Sequence, residues 1–186
     1  MRQTPIFTFA VDAPVRYSAI AIGLHWLMAL AIIGLIGVGL WMTDLDNSPT
    51  KIKVYSWHKW IGLTVLMLAA LRLAWRAHKP PPPLAESIPL WQIRIATLTH
   101  RVMYGLMFAM PLTGWLQYSA AGFPLTWFGL FKVPALIARD KGAFEFWNET
   151  HETLAYALIA MIVLHVLAAL KHHLLDRDDT LRRMWR

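Results

Sequence analysis

Long apolar segments of the sequence contain His25, His58, His100, His151 and His165, and two further histidines, His172 and His173, end the last of these segments. An ionisable side chain at membrane depth is costly, so such residues are candidates for function. One alternative is a histidine that only hydrogen-bonds a neighbouring helix. Imidazole is also the commonest metal ligand among side chains and an axial ligand of haem iron. Five such residues in so short a chain favour ligation over simple helix contacts.

The spacing of His151 and His165 sharpens this interpretation. Fourteen residues separate them. On one helix they lie about 40° from the same angular position and about 21 Å apart along the axis. That distance is too long for one mononuclear metal site. It leaves room for two stacked haems, one nearer each membrane surface.

The elements that must position these histidines are four apolar stretches, at roughly 19–41, 57–77, 98–119 and 151–173. Each reaches the length of about 20 residues that a membrane-spanning helix needs. Of the 186 residues, 57% are hydrophobic and only 16% are charged, against about 25% charged in soluble domains. The sequence predicts an all-α fold, an integral membrane four-helix transmembrane bundle, in a single domain over 1–186.

The connections between these stretches differ in character. Residues 42–56 are predicted to be a short polar loop. Residues 78–97 begin with HKPPPP, a polyproline-type spacer. Residues 120–150 are predicted to be the longest loop, with aromatic side chains typical of a segment on the membrane surface. The first apolar run is too long for the h-region of a signal peptide, so we expect the first helix to stay in the mature protein.

Charge predicts the orientation. The formal net charge of +7 can indicate a nucleic-acid partner, but no soluble basic domain is present to bind one, so nucleic acid is not expected. With the N-terminus inside, twelve of the 18 Lys and Arg residues lie at the inner side. The positive-inside rule therefore predicts a multi-pass protein with both termini in the cytoplasm.

This topology pairs the histidines by depth. His58 and His151 lie at the outer ends of helices two and four, and His25 and His165 lie toward the inner side. Each pair can supply two axial imidazoles to one iron. His100 lies at the inner depth as well, so depth alone leaves it open as an inner ligand.

The absence of cysteine excludes disulfides, iron–sulfur clusters and covalent haem attachment. Any haem is therefore held by ligation alone. Gly23, Gly62 and Gly105 lie near the histidines and are expected to let a porphyrin approach the backbone. Two acids flank one of the outer histidines. Glu149 and Glu152 either orient His151 and tune its haem or only begin the helix at its favourable dipole end.

Several segments together resemble the bacterial di-haem cytochrome b561 family. They are SAIAIGLHWLMAL, WHKWIG, THRVMYGLMFAMPLTGW, the long run WNETHETLAYALIAMIVLHVLAALKHH and the tail DDTLRRM. The most specific feature is H-E-x-L-A with a histidine 14 positions after the first. The likeness covers nearly the whole chain, and only residues 1–14 have no counterpart.

The resemblance implies a protein of the bacterial inner membrane with two haem b cofactors held by His25, His58, His151 and His165. One branch of the family resembles superoxide oxidases, so the leading prediction is an oxidoreductase that passes electrons from superoxide at the outer, periplasmic face to ubiquinone. The alternative is an electron-relay cytochrome b subunit that serves a partner dehydrogenase or hydrogenase and the quinone pool. A transporter with histidine proton relays is a third class, which would bind no haem.

The leading prediction assigns two groups of substrate residues. Quinone reduction consumes protons, so His100, His172 and His173 near the inner surface are candidates for the quinone site. A positive field would draw in the superoxide anion, and Lys51, Lys53 and Lys59 flank His58 at the outer side. Anchoring of helix ends at the interface is the alternative for these lysines.

Overall fold

The computed structural model describes residues 16–82 and 88–185 and contains four long helices in that part of the chain. They are α1 (Ala19–Met42), α2 (Pro49–His78), α3 (Leu90–Ala121) and α4 (Lys141–Lys171). A two-stranded antiparallel hairpin, β1 (Leu125–Trp127) and β2 (Phe131–Val133), precedes α4. Some predictions fall outside the described residues. They concern residues 1–14, the last of the four prolines, Pro83, and two residues of the charge count, Arg2 and Arg186.

Local sequence signals explain where the helices begin and end. The hydroxyls of Ser18 and Ser48 accept hydrogen bonds from backbone N–H groups three residues later, and the Asp140 carboxylate does the same for α4. Such caps satisfy amides that the helix itself leaves unpaired. Gly122, in the left-handed region at φ 78°, ends α3.

The helices are longer than the predicted apolar stretches. The polar loop predicted over 42–56 is wrong in its second half, because α2 already begins at Pro49. The loop predicted over 120–150 instead contains the hairpin and the first ten residues of α4. Hydropathy indicates only the part of a helix that lipid surrounds, whereas capping residues determine where the helix begins. The caps of α2 and α4, Ser48 and Asp140, lie in polar sequence before the apolar stretches.

Three helices of the described chain, α1, α2 and α4, are long and apolar enough to cross a membrane. At 32 residues, α3 is about 48 Å long and also exceeds the needed length. Its sequence is less apolar, since Arg94, His100 and Arg101 lie in its first half. Large apolar side chains face outward, among them Leu30 at 70% exposure. An outward apolar surface is typical of helices that lipid surrounds.

Inside the bundle, α1 packs on α2, α2 on α3 and α3 on α4. A small apolar core of Met28, Val65 and Ala69 joins the first two helices, with Met107 and Phe108 of α3 against it. Along α2 this core lies inward of His58, and along α1 it lies outward of His25. The bundle therefore has an apolar layer between two histidine levels.

The C-terminal tail, residues 177–185, folds back against α1. Helix α4 ends in a π-helical turn over His172–Asp176, after which Arg177 adopts φ 55°. The Trp26 indole donates a hydrogen bond to the Met184 carbonyl at 2.7 Å. His172 Nδ1 lies 2.7 Å from Asp178 Oδ2. Burial raises the pKa of Asp178, but hydrogen bonds from Thr180 and His172 outweigh it and lower that pKa below its usual value.

Candidate functional site

The histidine level that the charge distribution predicts to be outer, called the outer level below, consists of His58 on α2 and His151 on α4. Their ring centroids lie 6.3 Å apart, and the ring planes are inclined at 74°. Two glycines make this close approach possible. A Cβ at Gly39 would lie 3.2 Å from His58 Cε1, and a Cβ at Gly114 would lie 3.1 Å from His151 Cε1. A side chain at either glycine would therefore crowd the ring beside it.

Helix α3 holds His151 from the side. Its Nδ1 lies 3.1 Å from Thr113 Oγ1 and 3.1 Å from the Met110 carbonyl oxygen. A carbonyl oxygen can only accept, so Nδ1 carries the proton and Nε2 keeps its lone pair. That is the tautomer a metal-binding imidazole needs. His58 differs, because its buried Nδ1 has no hydrogen-bond partner within residues 16–82 and 88–185.

The inner level contains three histidines. The rings of His25 on α1 and His165 on α4 have centroids 6.2 Å apart at an interplanar angle of 72°. His100 of α3 also packs against His165, with a shorter centroid separation of 5.5 Å. The structure thus brings together the histidines that depth paired, and it places His100 beside the inner pair.

These distances fit axial ligation of an iron. A ring nitrogen lies about 1.1 Å from its centroid and binds a first-row metal at about 2.0 Å, so two rings on opposite sides of one iron have centroids about 6.2 Å apart. The separations of 6.3 Å for His58–His151 and 6.2 Å for His25–His165 match this value. The 5.5 Å separation of His100 and His165 suits a shared iron less well. The donor set, paired imidazoles without thiolates, also suits haem b.

Sequence reasoning missed a polar group beside the inner histidines. The Arg72 guanidinium donates to the Ala21 carbonyl at 3.0 Å and to the Tyr104 hydroxyl at 3.1 Å. Tyr104 lies four residues after His100, so both share one face of α3. The arginine inside the second apolar stretch and the H-x-x-x-Y spacing were the available signals. Gly39 and Gly114 were missed as well, whereas nothing lies within 4 Å of a Cβ at the predicted Gly23, Gly62 and Gly105.

The three outer lysines have different surroundings. Lys51 Nζ donates to the Leu45 carbonyl at 2.6 Å, just after the end of α1. Lys59 Nζ lies 3.5 Å above the Tyr118 ring. Lys53 is exposed and makes no hydrogen bond or ion pair with any residue of the described chain. Two of the three therefore anchor structure as well as supplying charge.

The remaining predicted residues do not join the histidine pairs. His172 is bound by the Asp176 and Asp178 carboxylates near the C-terminal tail, and Lys171 Nζ lies 2.5 Å from Asp176. His173 follows in the same π-helical turn and has no such partner among the described residues. Glu149 and Glu152 are exposed, and neither orients His151, because Thr113 and Met110 occupy its Nδ1. Nor do they begin the helix, which starts at Lys141.

The hairpin closes the outer end of the bundle against α2. The Trp60 indole donates to the Thr126 carbonyl, and the Trp127 indole donates to the Thr64 hydroxyl at 3.2 Å. Phe128 packs against Trp57 and Trp60, whose positions bracket His58. This aromatic cluster covers α2 on either side of the outer ligand candidate.

Comparison with known proteins identifies the family of this chain. The model of a family described as prokaryotic cytochrome b561 matches residues 16–186. Cytochrome b561 homolog 2 of Escherichia coli (strain K12) is 37% identical over 175 residues, covering 93% of this chain and 93% of that protein. Cytochrome b561 homolog 1 of the same organism is 29% identical over 170 residues, covering 91% and 96%. A protein named probable superoxide oxidase CybB from Yersinia pestis is 29% identical over 174 residues, covering 91% and 95%. Because the family model and these relatives span nearly all of the sequence, this chain belongs to the prokaryotic cytochrome b561 family.

Proposed function

We propose that this chain is a di-haem b cytochrome that transfers electrons from superoxide to ubiquinone. Membership of the family implies haem b binding, electron-transfer activity and a bacterial membrane location. The observation that carries the proposal is the presence of two histidine pairs with centroid separations of 6.2 and 6.3 Å at two levels of one bundle. The printed name of the Yersinia pestis relative, probable superoxide oxidase, supports superoxide as the donor.

In this proposal His58 and His151 hold one haem, and His25 and His165 hold the other. Bound haem b supplies a one-electron iron couple. The chain fixes where that couple lies: Gly39 and Gly114 give the outer rings room, and the apolar core of Met28, Val65 and Ala69 keeps water and ions from the space between the two levels. Each pair includes one histidine of α4. That single helix therefore fixes the distance between the two levels, with His151 and His165 about 21 Å apart along its axis.

The overall reaction balances with two superoxide anions for each quinone. Each superoxide loses one electron and becomes dioxygen, and ubiquinone takes up two electrons and two protons to become ubiquinol. Oxidation of superoxide needs no general base, so the outer side needs only access and a favourable potential for an anion. The charges of Lys51, Lys53 and Lys59 near His58 provide that potential.

The proton-consuming half is assigned to the inner side, where His100, Tyr104 and Arg72 lie together. His100 is the third histidine of the inner level and is not needed to complete a pair. The Tyr104 hydroxyl accepts from Arg72, so its own proton is free to be donated. We therefore assign the quinone headgroup to the surroundings of His100 rather than to those of His172 and His173, because His172 is already bound by carboxylates.

The positive-inside distribution supports an orientation with both termini in the cytoplasm of a bacterium with an inner membrane. Superoxide would then be oxidised at the periplasmic face, and the protons for quinol formation would come from the cytoplasmic side. The protein's other contacts in this scheme are the lipid bilayer and a mobile quinone, with no partner protein required for turnover.

Removal of one outer charge tests the donor assignment. Lys53→Gln should slow superoxide-driven reduction in stopped flow roughly two- to threefold at low salt, because the lost charge steers the anion. The difference should shrink at physiological salt, where charges are screened over about 8 Å. Lys53 is chosen because Lys51 and Lys59 also contact neighbouring groups.

Arg94→Gln is the matched control, since it removes an exposed charge near the start of α3, at the end of the bundle opposite His58. A neutral reductant should reduce all variants at one rate. Rapid reduction of the purified chain by superoxide, followed by oxidation by ubiquinone, supports the enzyme. A chain that superoxide does not reduce, but that a partner dehydrogenase does, would replace this proposal with the relay function.

A further inference from the structure

The two outer imidazoles differ in what their second ring nitrogen contacts. His151 Nδ1 lies 3.1 Å from each of two oxygens on α3, the Thr113 hydroxyl and the Met110 carbonyl. His58 Nδ1 is buried and lacks a hydrogen-bond partner in the part of the chain that the structure describes. Among the described residues, hydrogen bonds at the second ring nitrogen therefore polarise His151 and not His58.

Thr113 is placed so that its hydroxyl can only accept from this ring. Its own proton goes to the Met110 carbonyl at 2.9 Å. The lone pairs of Oγ1 then face the Nδ1–H of His151. Thr113 is 5% exposed, so water cannot replace this contact. Gly114, the next residue, provides the space in which the ring lies against α3. The segment Pro111–Gly114 thus forms the surface of α3 against which the His151 ring packs.

We propose that Thr113 is a positioning residue that lowers the reduction potential of the outer haem through His151. The inference rests on the ligation by His151 proposed above. An N–H group held by two oxygens raises the basicity of the opposite ring nitrogen, and a more basic ligand stabilises ferric over ferrous iron. Because His58 has no matching contact, the hydroxyl of Thr113 is the adjustable part of this ligand set.

The test is a redox titration of the purified chain with both haems bound. Thr113→Val keeps the shape and removes the hydroxyl. At a fixed ambient potential, the ratio of reduced to oxidised outer haem should rise roughly fivefold, the effect of about one hydrogen bond. At 59 mV per tenfold, this is an upward shift of about 40 mV. The potential of the inner haem should not move.

Two further variants separate polarisation from packing. Thr113→Ser retains the hydroxyl and should titrate like the unmodified protein. Thr97→Val removes a hydroxyl of the same helix that bonds the Ile93 carbonyl at 2.8 Å and contacts no histidine, so both potentials should stay unchanged. Loss of the outer haem from Thr113→Val but not from Thr113→Ser would also support a hydroxyl that holds the ring.

Equal shifts in the valine and serine variants would overturn the proposal in favour of a packing role. The proposal would also be wrong if Thr113→Val bound two haems with unchanged reduction potentials. That result would leave the ligation by His151 intact. Persistence of the outer haem in the His151→Gly variant would overturn both the ligation by His151 and the role of Thr113. The two failures are therefore distinguishable.

Discussion

Replacing either His58 or His151 with alanine should reduce the haem content of the purified protein from two to one per chain, and the same haem should be lost in both variants. The two rings have the 6.3 Å separation of trans ligands, and without cysteine nothing else holds the porphyrin. Haem content by the pyridine haemochrome assay and the number of steps in a redox titration measure the outcome.

The side chains around the outer pair suggest a sharper form of this experiment. His151→Gly leaves space into which free imidazole can diffuse, so added imidazole should restore the lost haem signal. His173→Ala, which changes a histidine of the π-helical turn, is the control and should keep both haems. Loss of different haems from the His58 and His151 variants would show that the two rings do not share an iron.

At the inner level, His25→Ala should remove one haem, His165→Ala should remove the same one, and His100→Ala should keep both. The centroid separations favour this assignment, because 6.2 Å for His25–His165 suits two imidazoles that would hold one iron better than 5.5 Å for His100–His165 does. His100→Ala should instead slow ubiquinol formation by roughly 10²-fold or more, the usual contribution of a positioned proton donor. Haem content and single-turnover oxidation by quinone measure these effects.

Tyr104→Phe offers a matched comparison, because it removes one hydroxyl beside Arg72 without touching a histidine. It should slow quinone reduction with both haems in place. If His100→Ala lost a haem while His25→Ala kept both, the inner assignment would have to be exchanged between these two residues.

Much of this arrangement was predictable from the sequence because membrane helices constrain depth. Once the apolar stretches are oriented, the position of a histidine along its stretch fixes its level, and this brought His58 to His151 and His25 to His165. The same reasoning could not rank His25 against His100. Both lie at the inner level, and only the positions of α1 and α3 relative to α4 in the folded bundle separate the centroid distance of 6.2 Å from that of 5.5 Å.

The contacts around the rings were less accessible to sequence reasoning. The glycines that were predicted to let a porphyrin approach, such as Gly23, lie near the histidines in sequence. Gly39 and Gly114 instead lie against the rings from other helices. The sequence left open whether Glu149 and Glu152 orient His151 or only begin its helix. Both are exposed, and α3 supplies the contacts of His151 through Thr113 and the Met110 carbonyl. Neighbours in space on another helix leave no periodic signal in the segment that contains the ligand.

The outer loop shows a different limit. Its aromatic residues predicted a surface segment, and the hairpin indeed leaves Leu130 and Phe131 exposed. Its pairing with α2 depends on two indole hydrogen bonds, from Trp60 and to Thr64, between segments more than 60 residues apart. Long-range side-chain contacts of this kind require the fold before they can be assigned.

The most direct test of the account is the number of haems bound by the unmodified chain. The protein is purified in detergent, its chain concentration is measured by amino-acid analysis, and its haem is quantified by the pyridine haemochrome assay and by extraction with acid acetone. The account predicts two haem b per chain, both fully extractable because no cysteine links them. A ratio near one would contradict it, because two histidine pairs with the separation of trans ligands would then hold only a single iron.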